Sequence, residues 1–284
     1  MLDVSYHRLN NFAVRDLYWL LFTDSPLSDS FDLSPYSLFP QSIIEEWKIL
    51  SVDYFKELDK NPETLIAFLD RKKNKRLGFY AEALLSYFFQ TFKQVDLLLQ
   101  NFQIIEGQKT IGETDFIIRY KGKVIHLECA VKYYLLNDPK NPNDALNWVG
   151  PRRKDNLGLK IDRLLQHQLP LSERKEVQYK INCTIDNTYL FFKGIFFSEK
   201  KIDSRNVNRN QPNQFVLQSE LKNLSTQAIC ILTRPNWLSA THPSANEHQH
   251  DLLELNSRLM NPEMVLFDDK KTTFVVPDEW GRSH

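Results

Sequence analysis

Apolar and polar positions along this chain follow two periods, and the elements change where the period changes. Residues 11–23 and 41–57 carry apolar positions at helical spacing, separated by a Ser- and Pro-rich loop over 24–40. Asn61-Pro62-Glu63-Thr64 reads as a helix start, with Asn61 as N-cap and proline in the first turn, and predicts a helix to about Arg71. A longer helix is predicted over 77–92, its stripe made by Leu77, Tyr80, Ala81, Leu84, Leu85, Phe88 and Phe92.

After a short strand over 103–106 the period becomes two. In the first half of a hairpin-like segment, Glu113, Asp115 and Arg119 fall on one face and Phe116, Ile118 and Tyr120 on the other. In the second half, His126, Glu128, Ala130 and Lys132 share a face, with Leu127, Cys129, Val131 and Tyr133 opposite. A two-residue turn at Lys121-Gly122 pairs Tyr120 with Lys123, because glycine tolerates the positive φ of such turns. That register sets Phe116 against Leu127, Ile118 against Ile125 and Asp115 against Glu128. A slip of one residue mismatches every face, so the pattern itself argues for this pairing.

Further along, Asp155 is placed to cap a helix to Gln168 with Leu157, Ile161, Leu164 and Leu165 as its stripe. Strands are predicted over 177–183, 189–197, 228–233 and 272–276, a loop over the polar stretch 203–213, and one more helix over 246–260. The mixture predicts an α/β or α+β protein around one central mixed sheet. The expected organisation is an N-terminal helical region (1–75), a core (76–170) and C-terminal strands and helix (171–284), together one compact domain.

Composition narrows the function classes. Lys and Arg balance Asp and Glu at 36 each, so any attraction to nucleic acid must come from local patches. Cys129, Cys183 and Cys230 are far apart in apolar runs and read as free thiols of a reducing compartment. Only eight glycines are present, and neither GxGxxG nor GxxxxGK[ST] nor GxSxG occurs, which leaves nucleotide-binding loops and a hydrolase elbow unsupported. The N-terminus lacks a signal peptide's basic start and cleavage site, and the early apolar run at 17–22 is too short to span a bilayer. A cytoplasmic protein without membrane association is expected.

Candidate chemistry centres on the hairpin. Carboxylates opposite each other on a sheet have Cβ atoms roughly 5 Å apart and repel. Solvation, a cation between them, or protonation of one acid relieves that repulsion. Hard Mg²⁺ or Mn²⁺ takes carboxylate oxygens, and a lysine such as Lys132 on the same face can position the attacking water; a solvated face with an ordinary Glu–Lys pair is the other reading. His126 shares this face and reads either as a base near neutral pH or as a packed core histidine. His242, His248 and His250 sit in a Pro- and Asn-containing segment that reads as a solvated loop. Two basic runs, Arg71, Lys72, Lys73, Lys75 and Arg76, then Arg152, Arg153 and Lys154, precede the helices on either side of the hairpin. They read as phosphate contacts on DNA or RNA or as solvated helix boundaries.

The order of these elements, a glutamate-bearing helix, a hairpin with Asp115 and Glu128, then a helix, resembles the PD-(D/E)XK nuclease superfamily over about residues 76–170. The stretches GETDFIIRYKGKVIHLECAVKYYL, GPRRKDNLGLKIDRLLQHQLPLS and FVVPDEW resemble the uncharacterised bacterial family domain of unknown function 1853 across most of the chain. The resemblance implies a restriction-endonuclease-like core with N- and C-terminal additions. It makes Asp115 and Glu128 metal ligands and nominates Glu82 as a third. One departure stands out: Ala130 occupies the place of the superfamily's lysine. Lys132 starts about 6–7 Å further along the strand, so it, or Lys160 from the next helix, would serve. Two readings follow: a Mg²⁺-dependent nuclease, or a catalytically silent relative that binds nucleic acid or protein.

Overall fold

The computed structural model describes residues 8–72, 76–208, 213–223, 228–239, 249–251, 255, 259–267 and 272–281. Its elements run α1 (Phe12–Phe22), β1 (Ser37–Leu38), α2 (Gln41–Leu50), α3 (Val52–Lys60), α4 (Glu63–Asp70), α5 (Leu77–Thr91), β2 (Asp96–Glu106), β3 (Lys109–Tyr120) and β4 (Lys123–Leu136). There follow β5 (Trp148–Val149), α6 (Leu157–Arg163), α7 (Lys175–Ile181), β6 (Asn187–Ser198), β7 (Asn213–Gln214), β8 (Val216–Leu217), β9 (Ala228–Ile231), β10 (Gln249–Asp251), β11 (Glu263–Phe267) and β12 (Thr272–Val276). The fold is α/β with a mixed sheet ordered β1-β6-β4-β3-β2, to which β5 adds on β4 and β7 on β6. A second sheet is ordered β10-β9-β11-β12-β8. Among the described residues no helix is long and apolar enough to cross a membrane.

The chain forms two compact units. Unit 1 gathers the residues up to Ser25, Asp32–Val131 and Lys160–Lys193; unit 2 gathers Pro26–Phe31, Lys132–Leu159 and everything from Gly194. The long strands β4 and β6 therefore each begin in unit 1 and end in unit 2.

In unit 1 the hairpin of β3 and β4 is covered on both faces. On one, Phe89 of α5 meets Phe116 edge-on at 5.2 Å and Trp47 of α2 meets Tyr120 at 5.6 Å. On the other, Ile117 and Val124 pack with Ile104, Leu171 and Val177, the last two from the 3-10 helix Leu169–Glu173 and from α7. A strand buried on both faces carries its polar residues inside too, and Thr114, His126 and Glu128 are buried. Lys193 is also inside: its ammonium donates to the Leu21 carbonyl at 3.2 Å and to that of Thr23, closing the end of α1, and burial lowers its pKa to about 7.

Several local expectations change. The helix expected over 41–57 breaks at Ser51 into α2 and α3. Asn61 ends α3 through its N–H to the Glu57 carbonyl, and α4 begins after Pro62 without a side-chain cap. The strand expected over 103–106 extends back to Asp96, hidden by register shifts that break the alternation. Residues 177–183, expected as a strand, lie largely in α7: Val177 is buried whereas Tyr179 is 91% exposed, so no single strand face holds both. Gln249–Asp251, inside the expected helix 246–260, is strand β10, and it contains His250; His242 and His248 lie outside the described residues. Strand β11 was not foreseen. The three cysteines are free thiols.

Unit 2 is organised around Leu221, Leu255, Leu259, Val265 and Val275. Trp237 bridges Tyr133 and Phe274 at 5.3 and 5.2 Å, and accepts the Tyr133 hydroxyl on its carbonyl at 2.8 Å. One glycine is required here. Gly194 has φ +127°, and a Cβ on it would fall 1.7 Å from the Lys132 carbonyl oxygen. Gly194→Ala is expected to cost about 3 kcal/mol or more, or to prevent folding, because strain and a backbone clash coincide; urea denaturation reads the loss.

Candidate functional site

The turn between β3 and β4 has positive φ at both Lys121 (47°) and Gly122 (75°), the geometry that matches strand twist in a two-residue hairpin. From it the ladder runs Tyr120↔Lys123, Ile118↔Ile125 and Phe116↔Leu127, the register read from the sequence. There it stops, while β3 continues beside β2 as far as Glu106↔Lys109. The strands part at the next position, which is Asp115 and Glu128. Asp115 Oδ2 accepts the Cys129 N–H at 2.8 Å, so a carboxylate takes a backbone donor that the ladder no longer uses.

Glu128 is fully buried. The Gln168 amide donates to its Oε1, and Lys160 Nζ in turn donates to Gln168 Oε1 at 3.0 Å. His126 Nε2 stands 3.7 Å from Glu128 Oε2, and neither ring nitrogen nor that oxygen has a hydrogen-bond partner. Burial pushes the Glu128 carboxyl up to about 8, with the Lys160 charge and hydrogen bonds from Asp115 pulling the other way. Burial and the charge of Glu128 raise Asp115 well above the ordinary carboxylate range, opposed by the Cys129 N–H and reinforced by Glu82. Burial also lowers His126 to about 4, so it is a neutral core residue near pH 7 rather than a base. The Cys129 thiol is pushed up by burial and by the nearby acids. Asp115 also hydrogen-bonds to Glu128, so the two acids titrate as a coupled pair, and a shared proton or a cation relieves their repulsion.

A pocket of about 330 Å³ opens at Asp115, with Glu82 and Arg76 of the α5 segment, Cys129, Gln168 and Phe79 among its walls. Glu82 accepts from the Asn101 side chain. The arrangement thus unites Asp115, Glu128, Glu82, Arg76 and, through Gln168, Lys160. Lys132 is engaged elsewhere: its ammonium meets Asp155 Oδ2 at 2.5 Å within unit 2. That contact also removes Asp155 from its expected capping role, which Asn156 takes by accepting the Leu159 N–H at 2.9 Å. Arg152, Arg153 and Lys154 belong to unit 2, where the Arg153 guanidinium lies 5.5 Å from the Trp280 ring. Arg71 and Lys72 are exposed after α4; Lys73 and Lys75 lie outside the described residues. Gln168 was missed by sequence reasoning, although its spacing of eight from Lys160 marks one helix face. It ends the π-helical stretch Leu164–Gln168, an irregularity frequent at functional sites.

Among the described residues no group of three or more His, Cys, Asp or Glu side chains has the arrangement of a metal site. What fits a hard divalent cation is narrower: an acidic pair with one buried oxygen unpartnered. The model of the family described as Domain of unknown function (DUF1853) matches residues 15–265. The chain belongs to this family. No curated protein and no solved structure matches it. For this DUF1853 member the acidic pair is therefore interpreted from its own geometry.

Because the folded pKa values of Glu128 and Asp115 are raised, the stability they contribute is complete below about pH 4 and is lost as pH rises toward 8. His126 and Lys193, both lowered, work in the opposite direction, but they cancel in a comparison of two variants. Glu128→Gln is expected to be more stable than wild type at pH 8 without metal, by an amount that grows from pH 5 to 8. Thermal denaturation across that range measures it.

Proposed function

We propose that the protein is a divalent-metal-dependent phosphodiesterase acting on DNA or RNA, with a PD-(D/E)XK-like core. The observation that carries this reading is the electrostatically unbalanced pair of half-buried Asp115 and buried Glu128 at the point where β3 leaves β4. Mg²⁺ or Mn²⁺ needs only one or two protein carboxylates when water and substrate phosphate complete its shell. Asp115 and Glu128 would hold it, with Glu82 as support. When bound, such a cation supplies Lewis-acid polarisation of a phosphoryl oxygen.

The remaining work falls to the chain's own groups. Lys160 fixes the Gln168 carbonyl, which turns the amide N–H toward Glu128 and orders its carboxylate. The same ammonium opposes the rise in the Glu128 pKa and so favours the ionised, ligating form. Arg76, exposed on the pocket wall, is suited to bidentate contact with a phosphate. In this reading Lys160 takes the part of the lysine that the motif carries at the position of Ala130.

Calorimetric titration with Mg²⁺ or Mn²⁺ tests the site. Wild type is expected to bind in the micromolar to millimolar range, to release protons at pH 7 because both acids are raised, and to lose the heat in Asp115→Asn. Lys160→Met is expected to weaken metal binding and cleavage of a nucleic-acid substrate by roughly 10- to 100-fold, as loss of a group that orders a ligand does. A second reading, a catalytically silent nucleic-acid-binding member, is favoured by Ala130, which is buried. Metal-independent binding without cleavage would establish it.

A further inference from the structure

We infer that the pocket at Asp115 receives one unpaired nucleotide, so that the substrate is a single strand or a frayed end and not intact duplex. This rests on the phosphodiesterase reading and names its substrate class. Phe79 and Glu82 lie three residues apart on α5, Arg76 is its N-cap, and all three line the pocket, which brings an aromatic ring, an acid and a cation to one wall. Phe79 is 47% exposed, although it adjoins an apolar floor that includes Leu85, Val131 and Phe191. An aromatic left half open beside a guanidinium and a pair of acids matches the chemistry of a nucleotide: a π-face for Phe79, a phosphate oxygen for Arg76, and a scissile phosphate toward Asp115.

Size decides between strand and duplex. At about 330 Å³ the pocket lies at the small end of the range for sites that enclose small ligands. It holds one nucleotide, and a base within a duplex has both π-faces covered by its stacked neighbours. The base next to the reacting phosphate must therefore leave its stack or never have been in one. Gly78 adds to the fit. It lines the same pocket, and a Cβ built there meets nothing within 4 Å, so the helix presents bare backbone where a ligand can approach closely.

Fluorescence anisotropy with a labelled single-stranded oligonucleotide and its duplex, in Ca²⁺, which takes the same oxygen donors, tests the inference. The single strand is expected to bind roughly tenfold tighter than the duplex. Phe79→Ala is expected to weaken the single strand by roughly tenfold and Phe79→Tyr to restore it, as base–aromatic stacking requires. Gly78→Leu adds bulk at an exposed helical position with a better helix former, so weakened binding there reports a filled pocket and not a lost fold. Equal affinity for strand and duplex, with Phe79→Ala unchanged, overturns the inference and leaves the phosphodiesterase reading to the metal titration and the cleavage assay. Absence of binding to either probe overturns both.

Discussion

The burial of the Glu128 carboxylate beside half-buried Asp115 is the constraint to which the rest of unit 1 answers. Asp115 and Glu128 come from adjacent strands of a hairpin packed on both faces, so Glu128 has none of the solvent that ordinarily relieves such a pair and Asp115 has only what its pocket admits. What surrounds them is a partial answer: the Cys129 N–H on one acid, the Gln168 amide on the other, and Lys160 one step removed. Each lowers the cost of a negative charge, yet both groups stay raised. An apolar or amide side chain of similar shape in place of either acid would remove the repulsion.

The same constraint explains the local shape. Inter-strand pairing up to Phe116↔Leu127 is regular, and the parting of the strands begins where continued pairing would have pressed the acids together. The separation frees a backbone donor at Cys129, exposes Asp115 to a pocket, and leaves room for the π-helical turn that carries Gln168. Charge, strand geometry and pocket are consequences of one another.

Unit 2 obeys different physics. Its core is aliphatic and aromatic, with Trp237 between Tyr133 and Phe274, and its central ion pair, Lys132 with Asp155, is half-exposed. A lysine in that setting has its charge matched and its stem packed. The division falls within β4, between Val131 and Lys132, so consecutive residues of one strand serve unlike environments.

Much of the site was legible in one dimension because it depends on local periodicity. The two-residue turn at Lys121-Gly122 and the register as far as Phe116↔Leu127 follow from alternation and glycine chemistry, which act between neighbours in sequence. So did the helix that carries Glu82, from its apolar stripe. The lysine contacts were not legible: alternation puts Lys132 on the same strand face as Glu128, but only packing shows that Asp155 takes its charge while Lys160 reaches Glu128 through Gln168. The helical state of residues 175–181 was equally hidden, since Val177 and Ile181 satisfy either period until the exposed Tyr179 excludes the strand. Periodic pattern determined which side chains share a face. Long-range packing decided which charges meet, how the strands part, and where one compact unit gives way to the other, because those outcomes depend on residues tens of positions apart competing for the same buried space.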